Sequence, residues 1–79
     1  MTLDSLQVGE AAVVTGINGD AADAVARRLS DLGFLSGTPI VVRRRAPLGD
    51  PTVFDLRGYQ MCLRRAEAQR VMVERVASQ

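Results

Sequence analysis

The chain contains no histidine, no tryptophan, no lysine and only one cysteine, Cys62. Histidine is a frequent general base and the most common metal ligand in proteins, so its absence argues against catalysis by the chain alone and against a structural metal site. Cys62 has no histidine that would activate its thiol. We therefore expect no enzymatic activity, no catalytic residue, no resident metal and no cofactor.

Long apolar runs are also missing, and none approaches the roughly 20 residues that a membrane-spanning helix needs. The chain does not start with the positive charge and apolar stretch that mark a signal peptide. A lone cysteine in so short a chain is typical of a reducing compartment, because small secreted domains usually carry several disulfides. These features predict a cytoplasmic protein that does not insert into a membrane.

What the chain does contain is enough apolar sequence for one compact domain. It has 79 residues, of which 47% are hydrophobic, and we expect a single domain over residues 1–79. With one Tyr and two Phe, the core must be built from Leu, Val, Ile and Met. A chain of this length buries only about 60–65% of its unfolded surface, so its margin of stability is small.

The charges are distributed unevenly, although the net charge is only +1. Residues 1–42 carry two Arg against five carboxylates, a net charge of −3, and residues 43–79 carry eight Arg against four, a net charge of +4. A net charge near zero gives little support for nucleic-acid binding. The asymmetry instead favours a protein partner that docks in one orientation.

The most informative stretch of sequence is residues 43–65. Two Arg clusters there flank a predicted turn at 47–51, which has a proline at each end. Pro39–Arg45 is rich in β-branched residues and reads as a strand. Residues 52–57 alternate, with Phe54 and Leu56 on one face, and 59–65 resume the pattern after Gly58. Three strands with short connections form a meander.

An amphipathic helix is predicted from Asp20, which is a suitable N-cap. Apolar residues recur at three- and four-residue spacing over about three to four turns, at Ala22, Val25, Leu29 and Leu32. Gly33 falls at the C′ position, where a left-handed residue ends a helix. Phe34 follows at C″ and can pack on Leu29, as in a Schellman motif.

The remaining segments complete a mainly β fold. Ala11–Ile17 is a predicted strand, in which a bulge at Gly16 would return Val14 and Ile17 to the same face. Short helical turns are predicted at 2–7 and 66–70, and a last strand at 71–76. Five short strands in so small a chain avoid free edges by closing into a barrel, so we predict a small SH3-like β-barrel with one inserted helix.

The order of these motifs resembles the FeoA family, the ferrous iron transport protein A family. The motifs are Leu3-x-x-Leu6-x-x-Gly9, Arg28-Leu29-x-x-Leu32-Gly33, Gly37, Pro47-x-Gly49-Asp50-Pro51 and Gly58-x-x-x-x-Leu63-Arg64-Arg65. The resemblance implies an SH3-like fold and a cytoplasmic accessory protein of ferrous iron uptake. It also implies a partner, the cytoplasmic GTP-binding domain of the membrane transporter FeoB, whose activity or assembly the protein would modulate.

Our leading hypothesis is a binding module that docks on FeoB through the turn at 47–51 and its flanking arginines. The predicted contact residues are Arg44, Arg45, Leu48 and Asp50. An apolar residue at a loop tip often marks a contact, although Leu48 could equally fold back onto its own barrel. In the simpler interpretation the arginines form a solvated wall with weak ion pairs to Asp55, Glu67 or Glu74.

Two other functions, and self-association, stay open at this stage. The C-terminal part of the chain, residues 43–79 with a net charge of +4, could bind RNA. Single-stranded nucleic acid is usually held by aromatic side chains that stack on the bases, and only Tyr59 lies near the arginines in sequence. Nucleic acid is therefore not an expected partner. An Arg could reach the phosphates of the partner GTPase and activate it in trans. Weak self-association through edge strands is also possible.

Overall fold

The computed structural model describes residues 1–20 and 22–76. It begins with a short 3-10 helix, Leu3–Ser5. The other elements in chain order are β1 (Ala11–Ile17), α1 (Ala24–Asp31), β2 (Pro39–Arg45), β3 (Thr52–Leu56), β4 (Tyr59–Leu63), α2 (Arg65–Ala68) and β5 (Val71–Arg75). The described elements agree with the predicted strands and with a mainly β fold.

The five strands form one antiparallel sheet in the order β4-β3-β2-β1-β5. Strands β2, β3 and β4 are consecutive neighbours, which confirms the predicted meander. The first strand lies between β2 and the last strand β5, so the two halves of the chain meet there. The loop that joins β2 to β3 lies at one end of the sheet, where these two strands meet.

The two edge strands, β4 and β5, differ in what covers their outer edges. The outer edge of β5 is covered by the N-terminal residues, since Thr2 bridges to Met72 and the Val73 N–H donates to the Met1 carbonyl over 2.9 Å. The helix α2 connects the ends of β4 and β5. Within residues 1–20 and 22–76, no strand pairs with the outer edge of β4.

A bulge in β1 brings Val14 and Ile17 to the same core-facing side of the strand. The register with β5 shifts between Val14 and Gly16, so that Val14 faces Val73 and Gly16 faces Met72. Val14 is buried and Ile17 packs against the core. The predicted bulge at Gly16 is therefore confirmed.

A second bulge, in β2, was not predicted. The register with β3 shifts between Val42 and Arg44. In a regular strand Arg43, Arg44 and Arg45 would alternate between the two faces, but the shift interrupts this alternation. Arg43 and Arg44 are both exposed, whereas Arg45 is half-buried.

The core lies between one face of the sheet and the segments that cover it. From the sheet it takes alternate strand residues such as Phe54, Leu56, Val71 and Val73, and from the covering segments it takes Leu3, Leu6, Leu29, Phe34 and Ala68. Both phenylalanines are fully buried. As expected for a chain poor in aromatics, the rest of the core is aliphatic.

The structure places the start of α1 three residues later than predicted. Its N-cap is Asp23, whose Oδ1 accepts from the backbone N–H groups of Val25 at 3.0 Å and Ala26 at 3.2 Å. The prediction of Asp20 is wrong, because its Oδ1 caps only the preceding turn through the Ala22 N–H. The helix has 8 residues, about two turns, rather than three to four.

A contact from the far end of the chain accounts for this choice. Arg70 donates from Nη2 to the Asp23 carboxylate and from Nε to the Asn18 carbonyl over 2.9 Å. These bonds hold Asn18 and Asp23 at the guanidinium, and the helix begins after Asp23. Both aspartates have suitable cap chemistry, and the long-range contact selects one of them.

The C-terminal end of α1 matches the predicted Schellman motif. Gly33 has φ 111°, its N–H donates to the Ser30 carbonyl over 3.0 Å, and the Phe34 N–H donates to the Leu29 carbonyl over 3.1 Å. Tyr59 adds a bond from β4, since its hydroxyl donates to the Leu32 carbonyl over 2.9 Å. The helix end is thus fixed to the edge of the sheet.

Replacing Gly33 by alanine is expected to destabilise the fold by about 2 kcal/mol. The positive φ disfavours a side chain, and an added methyl carbon would lie 2.6 Å from the Tyr59 hydroxyl. Gly37→Ala is a matched control, because Gly37 has φ 91° and no atom within 4 Å of the added carbon. We expect urea denaturation to show a larger loss of unfolding free energy for Gly33→Ala than for Gly37→Ala. The difference between the two should shrink when Gly33→Ala is made in a Tyr59→Phe background, because the clashing hydroxyl is then absent. An equal loss at both glycines would contradict the close-approach argument.

Candidate partner-binding surface

The predicted site lies on the loop that joins β2 to β3. The Gly49 N–H donates to the Ala46 carbonyl over 2.7 Å, and the Ala46 N–H donates to the Pro51 carbonyl over 3.0 Å. The first bond closes a turn in which Pro47 and Leu48 are the central residues. Gly49 has φ 89°, a conformation that favours glycine. The predicted turn at 47–51 is confirmed, and it carries Leu48 at its tip.

Leu48 extends into solvent. Its exposed fraction is 94%, against 54% for Val8, the next most exposed large apolar residue among those described. The side chain therefore does not fold back onto the barrel, which was the equally open alternative for its position. Isolated exposed leucines are common, but a nearly fully exposed one at the end of a fixed turn is available for contact.

The two predicted arginines lie in different surroundings. Arg45 is half-buried and donates from Nε to the Thr52 hydroxyl over 3.0 Å and from Nη2 to the Leu6 carbonyl over 2.8 Å. It connects the hairpin to the N-terminal segment. Arg44 is exposed, and within residues 1–20 and 22–76 its side chain has no hydrogen bond or ion pair.

Asp50 also makes a contact within the chain. Its Oδ1 accepts from the backbone N–H of Arg65, the first residue of α2, over 2.9 Å. This bond fixes the loop against α2 and so sets the direction of the tip. The structure brings all four predicted residues to one end of the hairpin, where Arg44 and Leu48 are exposed while Arg45 and Asp50 hold the loop.

Arg65 belongs to the same neighbourhood, although it was not among the predicted contact residues. A methyl carbon added at Gly49 would lie 3.2 Å from Arg65 Nη2, so the guanidinium lies beside the loop. The sequence signal was its place in the Arg cluster at 64–65. Only the packing of α2 against the hairpin shows which way its side chain points.

Ion pairs neutralise few of the clustered arginines. Arg43 Nη2 lies 2.8 Å from Asp55 Oδ2, as expected for a solvated wall, whereas Glu67 pairs with Arg28 of α1. The other pairs in the described chain are Arg70 with Asp23 and Arg75 with Glu10. Exposed pairs of this kind contribute about 0–1 kcal/mol each. The hairpin end therefore keeps a positive surface.

Three carboxyl groups have a pKa below the usual value, 3.8 for aspartate and 4.5 for glutamate. They are Asp23, Glu10 and Glu67. In each the largest cause is a hydrogen bond from a backbone N–H, and the paired arginine lowers the pKa further. All three are anchors of the fold, and none lies on the hairpin loop.

Acid is expected to destabilise the protein through these groups. Because each pKa is lowered in the folded state, the stabilisation is present above the unfolded-state pKa and is lost as pH falls from about 5 through the folded-state values. Thermal melts across this range should show a falling Tm. Asp23→Asn keeps a capping side chain but has no titrating proton, so its curve should be shallower. Parallel curves for the two proteins would exclude Asp23 as a contributor.

Groups that could support other chemistry are sparse in the part of the chain that the structure describes. No three His, Cys, Asp or Glu side chains there lie close enough to hold a metal ion. Cys62 is exposed on the outer face of β4, the orientation that the alternation predicts. No helix among the described residues is long and apolar enough to cross a bilayer. Tyr59, the aromatic residue that the RNA hypothesis needs for stacking, has its hydroxyl bound to the Leu32 carbonyl just after α1.

Comparisons with known proteins agree with this architecture. Residues 1–75 match the family model described as FeoA domain. The FeoA-like protein of Clostridium acetobutylicum is 33% identical, with a TM-score of 0.89 over 100% of this chain and 90% of that one. The zinc complex of FeoA from Stenotrophomonas maltophilia, described as a prokaryotic SH3 domain protein, is 37% identical, with a TM-score of 0.84 over 94% of this chain and 89% of that one. The predicted SH3-like fold is confirmed.

A relative from Porphyromonas gingivalis joins two proteins in one chain. It is named an Fe(2+) transport protein A/Fe(2+) transporter FeoB fusion protein, and it is 33% identical over 78 residues, 99% of this chain. This chain spans only 9% of the length of that relative. The match over residues 1–75, together with the shared fold, shows that the chain belongs to the FeoA domain family.

Proposed function

We propose that this protein is a cytoplasmic accessory protein of ferrous iron uptake that binds the cytoplasmic GTP-binding domain of FeoB and modulates its activity or assembly. The observation that carries the proposal is the Porphyromonas relative, in which a similar domain and FeoB share one polypeptide. Covalent linkage raises the effective concentration of two modules that work together. Two separate chains with the same roles would need an interface of their own.

The end of the β2–β3 hairpin is the surface that we assign to this interface. Leu48 offers an apolar anchor whose exposed fraction is 94%, and Arg44 offers a charge that no described residue neutralises. Interfaces commonly combine a few anchors that lose their water with charges that orient the partner. The contacts of Arg45 and Asp50 keep the loop in one conformation, which lowers the entropic cost of binding.

Calorimetric titration of the purified protein with the cytoplasmic domain of FeoB tests the proposal. We expect saturable binding that weakens as salt is added, since charge orients the partner. Absence of saturable binding at low ionic strength would overturn it. Single-turnover GTP hydrolysis in the same mixtures separates docking, which leaves the rate unchanged, from activation in trans by an arginine such as Arg44.

A further inference from the structure

A polar cleft lies behind the hairpin loop, between the loop and α2. Its volume is about 300 Å³, and it is lined by Asp4, Arg45, Gly49, Thr52, Arg65, Ala68 and Gln69. Thr52 and Ala68 are buried, with exposed fractions of 7% and 2%. The cleft is thus part of the folded body and depends on no partner for its shape.

Two arginines from different elements line this cleft. Arg45 comes from the end of β2, and its bonds to Thr52 and to the Leu6 carbonyl hold the guanidinium in place. A guanidinium has five N–H donors, and these bonds use two of them. Arg65 comes from α2, and its Nη2 lies beside Gly49. Neither arginine takes part in an ion pair with a described residue.

The carboxylates nearby are committed elsewhere. Asp4 is the one acidic residue among those that line the cleft, and it accepts a hydrogen bond from the Thr2 hydroxyl. Asp50 accepts from the backbone N–H of Arg65 and forms no ion pair with its side chain. The lining therefore has two positive charges and one negative charge, an arrangement that favours an anionic ligand.

We infer that this cleft is a binding site for a small oxyanion with close to two negative charges, either free phosphate or the phosphate of a phosphomonoester. Guanidinium groups match the oxygen pairs of a phosphate in charge and spacing. A volume of about 300 Å³ is at the small end for ligand sites, which suits an ion or a short phosphate ester. The site shares Arg45 and the hairpin loop with the interface proposed above, but binding there needs no second protein.

Titration of the isotope-labelled protein, followed by NMR, tests the inference. Inorganic phosphate should produce saturable shifts at the Arg45 and Arg65 side-chain N–H groups and at the Gly49 amide. The titration is made at about pH 7.5, where a phosphomonoester, the second probe, carries nearly two negative charges. Sodium chloride at matched ionic strength should not produce such shifts. Glycerol 3-phosphate forms the second arm: tighter binding than phosphate identifies an ester as the ligand, and equal binding identifies the free ion. Shifts that do not saturate with either compound would overturn the inference.

A matched pair of variants distinguishes binding at a defined site from general electrostatic attraction to the surface. Arg65→Gln should raise the Kd for phosphate about tenfold or more, because it removes a charged hydrogen-bonding group from the cleft. Its backbone N–H still bonds Asp50, so the loop is retained. Arg57→Gln makes the same charge change in the turn after β3, at the far end of that strand from Thr52, and should leave the Kd nearly unchanged. Equal losses for both variants would mean general electrostatic attraction and would overturn the assignment.

Discussion

Replacing Leu48 by aspartate is expected to weaken binding to the FeoB cytoplasmic domain by about 30- to 100-fold. An apolar anchor at the centre of an interface contributes about 2 kcal/mol or more, and a factor of ten in Kd corresponds to about 1.4 kcal/mol. The substitution also puts a charge where water must be excluded, which adds a desolvation cost. Calorimetric titration of the two proteins under the same conditions measures the effect.

The same substitution should leave the fold intact. Leu48 has an exposed fraction of 94% and no place in the core, so the free energy of unfolding should change by less than about 0.5 kcal/mol. Unchanged urea denaturation would therefore assign any loss of binding to the interface rather than to unfolding.

Leu35→Asp is the control for the position of the interface. Leu35 is also an exposed leucine, at 53%, but it precedes β2, whereas Leu48 follows it. Seven residues of β2 separate the two loops, a distance of about 20 Å. Full binding by Leu48→Asp would reject the hairpin as the docking surface. A loss only with Leu35→Asp would assign docking to the other end of the sheet.

Replacing Phe34 by alanine is expected to lower the free energy of unfolding by about 3–5 kcal/mol. Phe34 is fully buried, and it follows the glycine that ends α1, so its ring joins the helix to the sheet. A domain of 79 residues has a total stability of only about 4–12 kcal/mol. We therefore expect this variant to be largely unfolded at modest urea concentrations.

The adjacent residue provides the comparison. Leu35→Ala also truncates a large apolar side chain, although a smaller one than phenylalanine, one position further along and from a half-exposed site. It should change the free energy of unfolding by less than about 0.5 kcal/mol, as most surface substitutions do. Similar losses for the two variants, measured by urea denaturation, would contradict the assignment of Phe34 to the core.

Local chemistry made much of this fold predictable. The strands Ala11–Ile17 and Pro39–Arg45 have the predicted bounds. Strand periodicity and the turns that flank a strand depend on residues only a few positions apart. The end of α1 was predictable for the same reason, since Gly33 and Phe34 supply the whole capping motif. The turn that exposes Leu48 likewise follows from its own prolines and glycine.

The features that depend on distant residues could not be predicted from local sequence, because long-range contacts in the folded chain establish them. Arg70 selects Asp23 rather than Asp20 as the helix cap across 47 positions, and Arg45 reaches the Leu6 carbonyl across 39. The bulge in β2 is defined by the register with β3, and the cleft exists only where α2 packs on the hairpin. The strands, the helix end and the turn at 47–51 follow from local sequence, because periodicity and turn chemistry act between near neighbours, whereas the exposure of Leu48 became clear only in the folded chain. The partners of the arginines were decided by folding, because identical guanidinium groups differ only in which carboxylates and carbonyls the fold brings within reach.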